Sequence, residues 1–207
     1  MPKIEVEHRG LLSKEKFEEL KSFFSKKGKF SGEKKRFTLL YSTKHISKVK
    51  YWKDDPIDLK LRITNKKAEL IMKYGRFSGK DSRKEFVFEI DSDKFDEMVE
   101  FLKILGFNKG KLHDTHSYIY MYKGVEFALV EIPKWGYYFE AEILTSKKKI
   151  DEASQKIENL CRELRIEAMG QNKFYEVIDE LNNREGYRFD LRKQKFSEIQ
   201  ERFKEYF

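Results

Sequence analysis

Two pairs of glutamates stand at i and i+2, Glu5/Glu7 near the start and Glu140/Glu142 late in the chain. On a strand each pair shares a face, where like charges repel unless a cation lies between them. Other runs carry fixed charge on the same alternation. Lys60 and Arg62 interleave with Leu59, Leu61 and Ile63, and Glu69 and Lys73 oppose Leu70, Met72 and Tyr74. Arg83, Glu85 and Glu89 oppose Phe86, Phe88 and Ile90. Hard carboxylate oxygens suit Mg²⁺ or Mn²⁺, and Lys and Arg suit phosphate oxygens. Two arrangements satisfy the pattern. One is the wet face of an ordinary antiparallel sheet. The other is a barrel with its charges inward, which only a highly charged ligand with its metal ions would justify.

The elements that must position these residues follow from periodicity. Lys3–Arg9 alternates as a strand. Ser13 is placed to cap a helix carrying Phe17, Leu20, Phe23 and Phe24, with Gly28 as its stop. Strand patterns recur at Arg36–Tyr41, Asp58–Thr64, Lys67–Tyr74 and Arg83–Ile90, with Asn65-Lys66 as a hairpin turn. A helix from Asp91 or Ser92 to Leu105 carries a stripe of Phe95, Met98, Val99, Leu102 and Leu105, followed by Gly106. Strands are expected at His116–Tyr122, Val125–Ile132 and Tyr138–Thr145, the first two joined by Lys123-Gly124. The remainder is helical, with stripes Ile150–Leu164 and Phe174–Leu181 and a terminal helix Phe196–Tyr206. About eight strands with few helices between them predict an α+β fold built on an antiparallel sheet or barrel. The expected division is 1–146 for the strand-rich part and 147–207 for a helical C-terminal extension packed on it.

Composition narrows the classes. The chain has 207 residues and a net charge of +8. Residues 1–146 hold 30 basic and 23 acidic residues (+7) and residues 147–207 hold 14 and 13 (+1). The excess therefore lies with the strands and favours an anionic ligand there. A single cysteine, Cys161, excludes a disulfide framework and a Cys-based zinc site, and it falls on an apolar helix stripe. No apolar run approaches the ~18 residues of a membrane span, so a soluble, cytoplasmic protein without membrane partners is expected. His8, His45, His113 and His116 lack metal-site spacing, and His113/His116 reads as polarity of a strand-entry loop. No P-loop pattern surrounds Gly75 and Gly79. Lys34-Lys35-Arg36 reads as a solvated strand start, and Trp52 and Trp135 as outer packing.

The opening Ile4-Glu5-Val6-Glu7-His8-Arg9 resembles the ExExK signature of CYTH proteins, or triphosphate tunnel metalloenzymes. Leu59-Lys60-Leu61-Arg62 is similar to the family's LRIR strand, and Leu70-Ile71-Met72-Lys73-Tyr74-Gly75 to its LTLKG strand. Ser82-Arg83-Lys84-Glu85 resembles its RxE strand, and Trp135-Gly136 with Phe139-Glu140-Ala141-Glu142 its late G-x-F-x-E-x-E segment. The matches run in the family's order over residues 3–145.

The resemblance implies an eight-stranded antiparallel tunnel with helices packed outside. It makes Glu5, Glu7, Glu140 and Glu142 the catalytic, metal-binding carboxylates for Mg²⁺ or Mn²⁺, with Glu85 a further ligand. It makes Arg9, Lys60, Arg62, Lys73 and Arg83 the phosphate clamp, joined by Lys109 and Lys111 in place of the family's KxR pair. The implied activity is metal-dependent hydrolysis of a small-molecule triphosphate: inorganic tripolyphosphate, a nucleoside or thiamine triphosphate, or a triphosphorylated RNA end. A class IV adenylyl cyclase and a non-catalytic binder of triphosphates or RNA 5′ ends are the alternatives. Arg9 stands where the signature has lysine, Val87 where a second glutamate often follows RxE, and Val130 where an acidic residue is usual. A one-residue bulge would turn the adjacent Glu131 inward instead.

Overall fold

The computed structural model describes residues 4–51, 54–75 and 84–207. Arg83, Trp52 and Gly79 lie outside the described residues. The strands are β1 Ile4–Leu12, β2 Lys29–Tyr41, β3 Ile57–Thr64, β4 Lys67–Tyr74, β5 Lys84–Ile90, β6 Lys109–Tyr122, β7 Val125–Ile132, β8 Gly136–Thr145 and β9 Arg188–Asp190. The helices are α1 Lys14–Lys27, α2 Lys44–Ser47, α3 Phe95–Ile104, α4 Ile150–Glu163, α5 Gln171–Asn182 and α6 Phe196–Arg202. The strands form one antiparallel sheet in the order β1-β8-β7-β6-β2-β3-β4-β5, with β9 added on β6. The fold is thus α+β on an antiparallel sheet. Among the described residues it has nine strands where about eight were expected, and no ladder joins β1 to β5.

The contacts divide the chain into two compact units, Met1–Lys34 with Thr115–Phe174 and Lys35–Asp114 with Tyr175–Phe207. This division differs from one drawn after Ser146, because α4 belongs with β1, β7 and β8 while α6 belongs with β3, β4 and β5. Strands β2 and β6 contribute a half to each unit. Both run seven residues further toward their N-termini than the alternation suggested.

In the first unit the Ser13 side chain accepts from the Lys16 amide at 3.2 Å and starts α1, a cap worth about 1 kcal/mol. Phe17, Leu20 and Phe24 of α1 and Ile157, Leu160 and Cys161 of α4, with Leu164 just beyond it, pack on one sheet face. That face is made by Val6, Ile143, Ala141, Phe139, Phe127, Leu129, Val125 and Tyr120. Gly10 lets the chain at Glu167 close on β1, since a Cβ there would lie 2.0 Å from the Glu167 carbonyl oxygen. The Met169 amide donates to the Arg9 carbonyl at 2.7 Å beside it.

In the second unit Phe95, Val99 and Leu102 of α3 and Ile199 of α6, with Phe203 and Tyr206 beyond it, cover the apolar sides of β2, β3 and β4. Asn65 and Lys66 both take positive φ, 48° and 66°, as the two-residue turn between β3 and β4 requires. Lys123 and Gly124 do the same between β6 and β7. No helix among the described residues is long and apolar enough to cross a membrane.

Candidate active site

Alternation puts the helix-facing residues of each unit on one side and the fixed charges on the other. In the first unit the antiparallel register sets Glu7 opposite Glu142, Arg9 opposite Glu140, and Glu126 of β7 opposite Glu142. Glu7, Glu142 and Glu126 therefore form a lateral row of carboxylates across three strands. One oxygen each of Glu5, Glu7 and Glu142 lies within 4.8 Å of the others, a spacing at which one cation can bind all three.

Glu140 is engaged differently. Arg9 Nε donates to Glu140 Oε1 at 2.9 Å, and its Nη2 reaches Glu7 at 2.6 Å. Arg9 thus bridges two of the carboxylates assigned to metal.

The carboxylates of this face suppress one another's ionisation. Burial first, then Glu140, Glu5 and Glu142, push Glu7 up to about 8 against the lowering effect of Arg9. Burial, then Glu5 and Glu126, push Glu142 up to about 7. Arg9 is held charged: Glu140 and Glu7 outweigh the opposing effect of its burial.

Val130 lies on this charged face, opposite Tyr138 and packed with Ile119 and Ala128. Glu131 pairs with Tyr137 and His116 in unbroken ladders, so no bulge turns it inward. The additional carboxylate is Glu126, four residues earlier. Period-two counting back from Val130 reaches it.

The second unit carries Arg36, Asp58, Lys60, Arg62, Glu69, Lys73, Glu85 and Glu89 on the face away from its helices. Both signs are present here. Lys60 Nζ donates to Asp58 at 2.8 Å, and Lys73 lies 3.4 Å from Glu85. Glu85, a further ligand in the resemblance, is thus the ion-pair partner of Lys73. Val87 lies on the same face, opposite Ile71. Burial lowers Lys60, and Asp58 opposes the shift. Burial and then Arg36 bring Arg62 down to about 10, and its Nε has no hydrogen-bond partner among the described residues. Arg36 therefore belongs to the site rather than to a solvated strand start.

On β6, Lys111 shares this face and donates to the Asn182 carbonyl, while Lys109 is exposed opposite Asp190. His113, expected as surface polarity, is half-buried, with Nε2 enclosed and unpartnered among the described residues. His116 sits at the surface and contacts Glu33 at 3.1 Å. Cys161 is buried in the first unit's core, and Trp135 is half-buried in the β7–β8 turn.

No protein-family model matches the sequence, and no curated protein does. Solved structures do. The PH1819 protein from Pyrococcus horikoshii OT3 aligns at TM-score 0.68 and 27% identity, over 85% of this chain and 98% of that one. HpAC1 from Hippeastrum, a candidate adenylyl cyclase with a dominant triphosphatase activity, aligns at 0.60 and 18%, over 84% and 94%. A candidate adenylate cyclase from Vibrio parahaemolyticus aligns at 0.61 and 13%, over 83% and 95%. With helices on the apolar side of the strands, fixed charges on the other and these structural neighbours, the chain has a CYTH-like fold.

Proposed function

We propose that the protein is a divalent-metal-dependent hydrolase of triphosphate-containing substrates, with its sheet closed as a tunnel around them. The observation that carries this reading is the convergence of Glu5, Glu7 and Glu142 within 4.8 Å, with Glu126 in the same row. The triphosphatase activity of HpAC1, at 18% identity, supports the reaction class.

Glu5, Glu7 and Glu142 would hold Mg²⁺ or Mn²⁺, which supplies charge neutralisation and an activated water for in-line attack on a phosphoryl group. Near neutral pH Glu7 and Glu142 retain a proton between them, and its release accompanies metal loading. Arg9 fixes Glu7 and Glu140 in position. Lys60, Arg62 and Lys73 offer N–H donors to phosphate oxygens, and Arg62 Nε is already desolvated for that purpose.

Val87 and Val130 on the charged faces favour a second reading, a binder of triphosphates without turnover. Phosphate release from tripolyphosphate, ATP, thiamine triphosphate and triphosphorylated RNA, with Mg²⁺, Mn²⁺ or EDTA, separates the two. The hydrolase reading expects release only with metal. Binding without release in every arm would establish the second reading. Cyclic AMP from ATP without matching phosphate release would identify a cyclase.

A further inference from the structure

His113 lies between Leu112 and Asp114 on β6. Leu112 is buried in the second unit's apolar core, so alternation sets His113 and Lys111 on the charged face. Its Nε2 is enclosed and makes no hydrogen bond among the described residues. The charged groups facing it are Lys60 and Asp58 from β3, Arg184 from the segment after α5, and Lys111 from its own strand. Three are cations, and the one carboxylate is bonded to Lys60 at 2.8 Å. Burial first, then Lys60 and Arg184, bring the imidazole down to about 4, so the ring is neutral at neutral pH.

A buried nitrogen without a partner is destabilising, because it has given up water and gained no hydrogen bond. An imidazole ringed by cations is uncharged for an electrostatic reason that an arriving anion would reverse. Phosphate oxygens would offset the neighbouring cations and give an acceptor to a ring N–H.

We propose that His113 takes a proton from solvent when a polyphosphate anion occupies this face, so that binding is coupled to proton uptake. No covalent bond changes: the neutral ring gains H⁺ on its free nitrogen and the resulting imidazolium donates to a phosphate oxygen. The inference rests on the polyphosphate reading above and adds to it a positioning residue that senses pH.

Calorimetric titration of the full chain with tripolyphosphate in EDTA, near pH 6.5 in buffers of different ionisation enthalpy, counts protons per anion bound. Wild type is expected to take up roughly half a proton or more beyond His113→Gln, since the shift must cross the working pH. His113→Arg, with a fixed charge, should bind without that increment. In ¹³C-histidine-labelled wild type the His113 ring signal should move from its neutral to its protonated position on adding tripolyphosphate, a readout that needs no variant. Tripolyphosphate binding with equal proton counts in wild type and His113→Gln, or with an unmoved ring signal, overturns the inference alone. Failure of wild type to bind tripolyphosphate in either EDTA or Mg²⁺ overturns both the inference and the triphosphate reading.

Discussion

On β1, β8 and β7 the charged face carries Glu5, Glu7, Glu126, Glu140 and Glu142 against Arg9, the single cation there among the described residues. On β3, β4 and β5 the corresponding face interleaves both signs and pairs Lys60 with Asp58 and Lys73 with Glu85. Both arise from the same period-two pattern, with helices covering the opposite side. The difference lies in where neutralisation comes from. The mixed face is largely compensated by its own residues, so a ligand there must exchange one partner for another. The acidic face is not, and Glu7 and Glu142 hold protons well above the usual range instead. The proposed metal site rests on this uncompensated row of carboxylates rather than on a count of glutamates.

The largest effect should come from the acidic face. Glu7→Gln keeps the shape and removes one charge, and turnover of tripolyphosphate with Mg²⁺ should fall about 10²-fold or more, as for lost electrostatic catalysis. A drop confined to KM would break the contrast, because it would make Glu7 a substrate contact like the cations.

Next comes Arg62→Ala, which removes a donor of about 1.5–3 kcal/mol made before and during the reaction. It should raise KM roughly 10–100-fold by the usual conversion of free energy to affinity, with a smaller change in kcat.

The stability consequence is smaller and has a defined sign. Glu7 and Glu142 have folded pKa values raised above their ordinary 4.5. Between there and about 7–8 the unfolded chain is ionised while the folded face still holds protons, so metal-free stability should fall as pH rises through that window. Glu142→Gln should flatten that slope and raise Tm in EDTA above neutral pH, by about 2–4 °C for each kcal/mol of repulsion relieved. A melting series from pH 5 to 9 in wild type and variant checks this. Equal slopes would mean that the carboxylates do not oppose one another.

The smallest effect is expected at Lys73→Ala. Its ion pair with Glu85 is 28% and 40% exposed at the two side chains. Such pairs contribute about 0–1 kcal/mol, so thermal melting should move little.

Much of this was legible in the chain itself. Alternation located the cores of β3, β4, β7 and β8, and the paired glutamates pointed to one face. The extensions of β2 and β6 were hidden because Lys29–Lys35 and Lys109–Thr115 carry one large apolar residue each, Phe30 and Leu112, too few to show a period. The three residues of β9 are too few to make a pattern.

Register was the other hidden quantity. Glu140 and Glu142 are equivalent by spacing, and only the pairing with β1 places one against Arg9 and the other against Glu7. His113 was misread for a related reason. Its neighbours Lys111, Asp114 and His116 are polar on both sides, so burial could come only from β3 and the segment after α5.

The most direct test of the proposed metal site is Mn²⁺ uptake by the protein alone at about pH 8, where Glu7 and Glu142 are losing their protons, followed by loss of the free-ion EPR signal. The account predicts saturable uptake by wild type, with release of protons, and uptake weakened at least about tenfold in both Glu7→Gln and Glu142→Gln. Uptake of equal affinity in wild type and both variants would contradict it, because the ion would then bind somewhere other than the row of carboxylates across β1 and β8.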